Sequence, residues 1–268
     1  MSENAGNGKR FMNEASEKSH PWMAKAFGRY LLDWEQQRCD EAVADIFGYH
    51  SLQLGLPMLH ALRHNRMPHR WVAAPTLDLN LDRPACQDPE QVQLFCAPEA
   101  LPFAEASIDL LVLPHTLELC QDPHAALREA VRVLVPEGRL LLFGLNPFSL
   151  WGLQHGLERA QAPSLNACKG LPYWRVRDWL QVLAMDVVAA DFGCHAPAVD
   201  SEAWLQRWRW MDKLGNKAWP VLGGAYCVLA VKKVHGMRLM EPAWRSRKAT
   251  ASAATAAACQ QVPQRKEI

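Results

Sequence analysis

The sequence has almost no net charge: Lys and Arg total 29 and Asp and Glu 28 over 268 residues, a formal +1. Such a balance supplies no whole-molecule field to steer the chain onto nucleic acid or an acidic membrane. Long apolar runs are also lacking. Nothing approaches the roughly 20 consecutive apolar residues that cross a bilayer, and the opening stretch MSENAGNGKRFMNEASEK has no apolar segment of the kind that directs secretion. The expected location is therefore the cytoplasm, with no membrane partner. The eight cysteines include no Cys-x-x-Cys pair, which removes the common zinc and thiol-redox spacings and leaves them as small buried hydrophobes. No Gly-x-x-x-x-Gly-Lys-Ser/Thr loop is present to wrap phosphates, and no Gly-x-Ser-x-Gly elbow to present a hydrolytic serine. Of the nicotinamide fingerprint Gly-x-Gly-x-x-Gly, the stretch GLPMLH keeps only the first glycine.

What is present suits one globular domain with appendages. Hydrophobic residues make up 49% and charged residues 21%, enough to bury a sizeable core. Residues 1–18 are polar and residues 236–268 contain the run ATASAATAAA, so both are expected to be disordered. The tail holds six basic and two acidic side chains, a surplus of four against a whole-chain +1, which leaves −3 for residues 1–235. Residues 19–47 read as a helical segment with Phe27, Tyr30, Leu31 and Trp34 on one face, and residues 48–235 as the main domain.

Within that domain short apolar runs alternate with helical stretches: HSLQLGL, PMLHALRHN, HRWVAA, EQVQLF and SIDLLVLP. Asp122 and Pro123 open a helix with Leu127, Ala130, Val131 and Leu134 on one face. VPEG then turns the chain into the apolar run RLLLFGL, expected as a central strand. A helix over Val176–Leu183, the strand DVVAADF, a helix over about Glu202–Leu214 and the strand GAYCVLAVKKV complete the pattern. The expected class is α/β, a doubly wound, seven-stranded, mostly parallel sheet.

Residues 99–144, EALPFAEASIDLLVLPHTLELCQDPHAALREAVRVLVPEGRLLLFG, resemble the second half of the class I S-adenosylmethionine-dependent methyltransferase core, type-11 subgroup. The resemblance rests on Leu101, Pro102, Phe103, Ser107, Ile108 and Asp109 entering the fourth strand, and on Arg132, Val133, Leu134, Pro136, Glu137 and Gly138 entering the fifth. It implies strand order 3-2-1-4-5-7-6 with the last strand antiparallel. It also implies S-adenosyl-L-methionine as cofactor and a methyl acceptor, expected to be a small molecule rather than nucleic acid.

The family's first motif, a strand ending in an acid and a Gly-rich turn, reads here Leu52, Gln53, Leu54, Gly55, Leu56, Pro57. By resemblance, Gln53 and Gly55 are the cofactor-binding residues of the first strand, and Glu99 and Leu101 those of the adenine position. An acid after the second strand is replaced by Pro75, with Asp78 the nearest substitute. Two polar residues follow strands at the carboxyl edge, where such sheets bind ligands. His115 is a candidate general base or a loop residue capping the next turn, and Asn146 a turn residue before Pro147. Asp109 is expected to fix the strand entrance through backbone bonds. His60 and His64, four apart, and the stripe Trp204, Trp208, Met211 are read as a helix face and core packing. Arg175, Arg177, Arg207 and Arg209 lie among the tryptophans, a mixture that also suits phosphate contact. Because Gln53, Pro57, Pro75 and Pro98 depart from the family pattern, a non-catalytic binding or scaffold protein on the same fold is the alternative reading.

Overall fold

The computed structural model describes residues 26–75, 94–149, 151–152, 170–196, 207 and 222–233. The expectations for residues 1–18, Asp78, Arg209, the Trp204, Trp208, Met211 stripe and the basic tail lie outside them. Helix α1, Ala26–Val43, opens the described chain. Its residues Leu31, Glu35, Cys39 and Val43 are fully buried at a spacing of four, which is one helical stripe.

Seven strands follow: β1 His50–Leu54, β2 His69–Ala74, β3 Leu94–Phe95, β4 Ile108–Pro114, β5 Leu134–Leu145, β6 Met185–Gly193 and β7 Ala225–Lys232. Between them run α2 Thr116–Leu119, α3 Pro123–Val133 and α4 Tyr173–Val182. The order is β3-β2-β1-β4-β5-β7-β6. Strands β1 to β5 pair in parallel, and β7 inserts antiparallel between β5 and β6. This is the doubly wound, seven-stranded sheet expected from the sequence.

The period-2 alternation of strands gives the sheet two apolar faces. Leu111, Leu113, Leu140 and Leu142 pack with Leu127 and Ala130 of α3 and Val176 and Leu180 of α4. Their alternates Leu110, Val112, Leu141 and Phe143 pack with Cys39 and Val43 of α1. The expected cap of α3 is present: the Asp122 side chain accepts from His124 N at 2.9 Å and Ala125 N at 3.0 Å. At the other end of α3, Lys232 Nζ donates to the carbonyls of Val131 and Leu134, each at 2.7 Å. Asp109 ties β4 to the start of β1 by accepting from Tyr49 N and His50 N at 2.9 Å.

Two local expectations are corrected. The VPEG turn lies inside β5 as an irregularity, since Ile108 pairs Leu134 but Leu110 already pairs Arg139, with Glu137 at φ 62°. The helix expected over PMLHALRHN is a series of turns. Its carbonyls and amides are claimed elsewhere. Gln53 Nε2 takes the carbonyls of Leu56 and Leu59, His60 N goes to Gln36 Oε1, and what remains closes as short turns such as Arg63 N to His60 O. His60 and His64 therefore do not share a helix face. His64 Nδ1 instead lies 3.2 Å from Asp40.

Candidate cofactor site and a buried charged triad

Strand order runs outward in both directions from the β1–β4 pair, and the crevice of an open α/β sheet lies at the carboxyl ends of the strands where that reversal occurs. Gly55 stands there, just past β1, with φ +93°, a backbone conformation that glycine adopts without strain. Its amide donates to Ala73 O at 2.8 Å, and a Cβ added to it would meet Thr116 Oγ1 at 2.9 Å. The Thr116 hydroxyl in turn donates to the Leu54 carbonyl. Only a residue without a side chain lets the tips of β1 and β4 come together in this way.

Gln53, 1% exposed, holds the turn beyond Gly55 from within. Its Nε2 donates to the carbonyls of Gly55, Leu56 and Leu59 at 3.3, 3.0 and 2.6 Å, and its Oε1 accepts from Ala61 N at 3.1 Å. An ionised carboxylate only accepts, so the turn is wound with its carbonyls inward. Peptide planarity then directs the Leu56 N–H to the side opposite the Gly55 carbonyl.

Glu99 and Leu101, the two residues carried to the adenine position by resemblance, sit in the segment after β3. Glu99 Oε1 accepts from Gln121 N at 3.1 Å and Asp122 N at 3.4 Å. Leu101 is 5% exposed and belongs to the core beneath α3. Its amide donates to Glu129 Oε2 at 3.2 Å and its carbonyl accepts from Arg132 Nη2 at 3.1 Å. Gln53, Gly55 and Thr116 meet at one tip, while Glu99 brackets the approach to α3.

His115 occupies the tip of β4 with φ 53° and is fully buried. Its Nε2 lies 2.6 Å from Glu35 Oε1 of α1 and its Nδ1 3.2 Å from Glu118 Oε2. Glu118 also accepts from the Leu145 amide at the end of β5. Burial by itself pulls the imidazole toward neutrality, but the charge of Glu35 and the bonds from both carboxylates outweigh it and hold its pKa well above the usual histidine value. The His115 ring is thus enclosed between two carboxyl groups with both nitrogens engaged. The same carboxylate reaches outward: burial first, and the Glu118 charge second, push the Tyr226 hydroxyl well above its ordinary pKa. The Tyr226 hydroxyl donates to Leu171 O at 2.9 Å.

Glu118 follows His115 by three residues and was readable from the sequence as an i, i+3 partner. Glu35 also left a trace. A carboxylate in the stripe Leu31, Glu35, Cys39, Val43 has to find a buried partner, yet nothing local identifies one 80 residues away. Asn146 is a turn residue, as expected. Its Nδ2 donates to Gly223 O at 3.0 Å and its Oδ1 accepts from Phe148 N at 3.1 Å. This presents Phe148, 60% exposed, beside Trp174, 51% exposed, with ring centroids 4.7 Å apart.

Residues 76–142 match a family of proteins described as a methyltransferase domain, and the strand order is the one that this resemblance implies. The chain has the class I methyltransferase fold. An S-adenosylmethionine-dependent methyltransferase from Archaeoglobus fulgidus superposes with TM-score 0.51 at 15% identity, covering 75% of this chain and 94% of that one. Another from Thermotoga maritima gives TM-score 0.56 at 15% identity, with 84% and 97% covered. By sequence, the uncharacterized protein YafS of Escherichia coli (strain K12) is 35% identical over 142 residues. The chain spans about half the length of this curated relative, 55% of it, in an alignment covering 53% of this chain.

In a methyltransferase fold the donor lies at the reversal point. The residues present fit it: Gly55 adds no side chain there, and the turn that follows is fully formed without the family's acid because Gln53 closes it. Among the described residues no helix is long and apolar enough to cross a membrane.

Proposed function

We propose that the chain is a methyltransferase that uses S-adenosyl-L-methionine and passes its methyl group to a small-molecule acceptor. The observation that carries this reading is the tip of β1, where Gly55 and a turn closed by Gln53 stand beside the first residues after β4. Bound there, S-adenosylmethionine would supply an already activated methyl group, so the protein's task is alignment and exclusion of water. Gly55 and the turn after it would receive the donor, with Gln53 acting through that turn and Glu99 and Leu101 shaping the adenine side. Phe148 and Trp174, at the carboxyl end of β5, would meet an apolar part of the acceptor.

In this reading His115 is a positioning residue. Held between Glu35 and Glu118, it fixes α1 against the ends of β4 and β5, and any proton released by the acceptor passes to solvent or to the acceptor's surroundings. Calorimetric titration with S-adenosylhomocysteine tests the donor site, and transfer of radiolabelled methyl into a metabolite extract tests the activity. Binding without transfer would favour the second reading, a non-catalytic module on the same fold, for which the replacement of the acid by Gln53 is the supporting feature. Absence of binding would overturn the donor site itself.

A further inference from the structure

Phe148 and Trp174 stand half out of water at the carboxyl edge of the sheet, yet the backbone beneath them is firmly bonded. Phe148 leaves a turn in which the Ser149 hydroxyl donates to Asn146 O at 2.7 Å and accepts from Gly152 N at 3.1 Å, while Asn146 itself accepts from the Phe148 amide. Trp174 lies in the first turn of α4, just after Leu171, whose carbonyl is held by the Tyr226 hydroxyl. The approach to that helix lies against the end of β5. A Cβ added to Gly170 would meet Leu145 O at 3.1 Å and Pro147 Cδ at 3.4 Å. Both rings are therefore presented by hydrogen-bonded chain.

With centroids 4.7 Å apart and planes tilted by 43°, the rings touch and leave no slot between them. They make one open platform with two facets. A flat ring can stack on one facet and meet the other with its edge, the two arrangements that aromatic quadrupoles favour, whereas a puckered aliphatic ring matches neither. The platform belongs to the tip of β5, two strands from β1 in the sheet. At the usual strand spacing that is roughly 10 Å from Gly55, within the span of a small acceptor. The tip of β4 between them is closed, because His115 is fully buried with both ring nitrogens bonded. Aromatic faces also attract cations, but here the local charge opposes one: the exposed Arg175 and Arg177 follow Trp174, against the single Asp178.

We propose that Phe148 and Trp174 determine acceptor specificity, and that the methyl acceptor is a flat aromatic compound, neutral or anionic, seated on these two rings. This inference rests on the donor site at Gly55 and adds to it the chemical class of the acceptor.

The test is calorimetric titration of the full chain, first with S-adenosylhomocysteine and then, with that compound present, with 2-naphthol, its saturated counterpart decahydro-2-naphthol, and tetramethylammonium. The expected order places 2-naphthol tightest. F148A and W174A should each weaken its binding by about fivefold to fiftyfold, the range for losing one stacking partner, and F148W and W174F should restore most of it. Affinity for S-adenosylhomocysteine should be unchanged in all four variants, which also shows that they are folded. If S-adenosylhomocysteine does not bind the wild-type chain, the donor site falls and the acceptor role with it. If it binds, the aromatic acceptor alone is overturned by any of three results: decahydro-2-naphthol binding as tightly as 2-naphthol, tetramethylammonium binding more tightly than either, or F148A and W174A both keeping wild-type affinity for 2-naphthol.

Discussion

The tips of β1 and β4 are neighbours in the sheet, yet they are held by opposite chemistry. Beyond β1, a neutral amide, Gln53, satisfies three carbonyls and one N–H. Beyond β4, three ionisable groups, Glu35, His115 and Glu118, bond one another and take the Leu145 amide. A neutral network costs little to bury and is indifferent to pH. A buried charged one contributes little net stability while intact and a great deal of instability when one member is lost. The fold therefore places a robust hinge and a vulnerable one side by side at the proposed site.

The contrast is broken most severely by H115A, which leaves two buried carboxylates facing each other without a cation. A loss of about 3–5 kcal/mol is expected, read from urea denaturation midpoints. Q53E comes next. A carboxylate at this position cannot donate to Gly55, Leu56 and Leu59, so a loss of about 3 kcal/mol is expected from the stranded carbonyls, and the same titrations measure it. If Q53E were neutral, the turn would be rewound to point its amides inward, and the difference between the two tips would vanish.

A third experiment sharpens the contrast by pH. His115 has a raised pKa in the folded chain, so its contribution is fully present below the unfolded histidine value of about 6.5 and is lost as pH rises through the higher folded value. The groups that share its surroundings, Tyr226, Cys39 and Cys227, all have pKa values pushed up by burial and stay neutral through that window. The thermal midpoint of the wild-type chain should fall as pH is raised above neutrality, and the fall should be shallower in H115Q. Q53L, which removes the neutral network, should lower the midpoint equally at every pH. The smallest effect is expected far from both tips: K232M removes the cation from the carbonyls of Val131 and Leu134 and should cost about 1 kcal/mol, with no change in the pH profile.

The sequence made the architecture visible where the cause is local. The Asp122–Pro123 cap, the apolar stripe of α3 and the uninterrupted run of β5 are each decided within a dozen residues, and they are where the family resemblance is densest. Gly55 was legible for the same reason, as a glycine directly after an apolar strand. The failures have non-local causes. Nothing in PMLHALRHN announces that Gln53 and Gln36 will take the groups a helix needs. Nor does the HTLE stretch show that His115 is closed off by α1, because Glu35 arrives from the far end of the chain. Position at a strand's carboxyl end suggested a base, whereas the packing of α1 closes the ring between two carboxyl groups.

The order of the strands bears on how the protein is made. Strand β7 lies between β5 and β6, pairing seven residues of one and eight of the other, although the ribosome delivers it after the other six described strands. Until Ala225–Lys232 emerges, β5 and β6 have no partner in common and each presents an open edge during synthesis. A nascent chain halted before residue 225 should accordingly be the species most prone to aggregate and most in need of a chaperone.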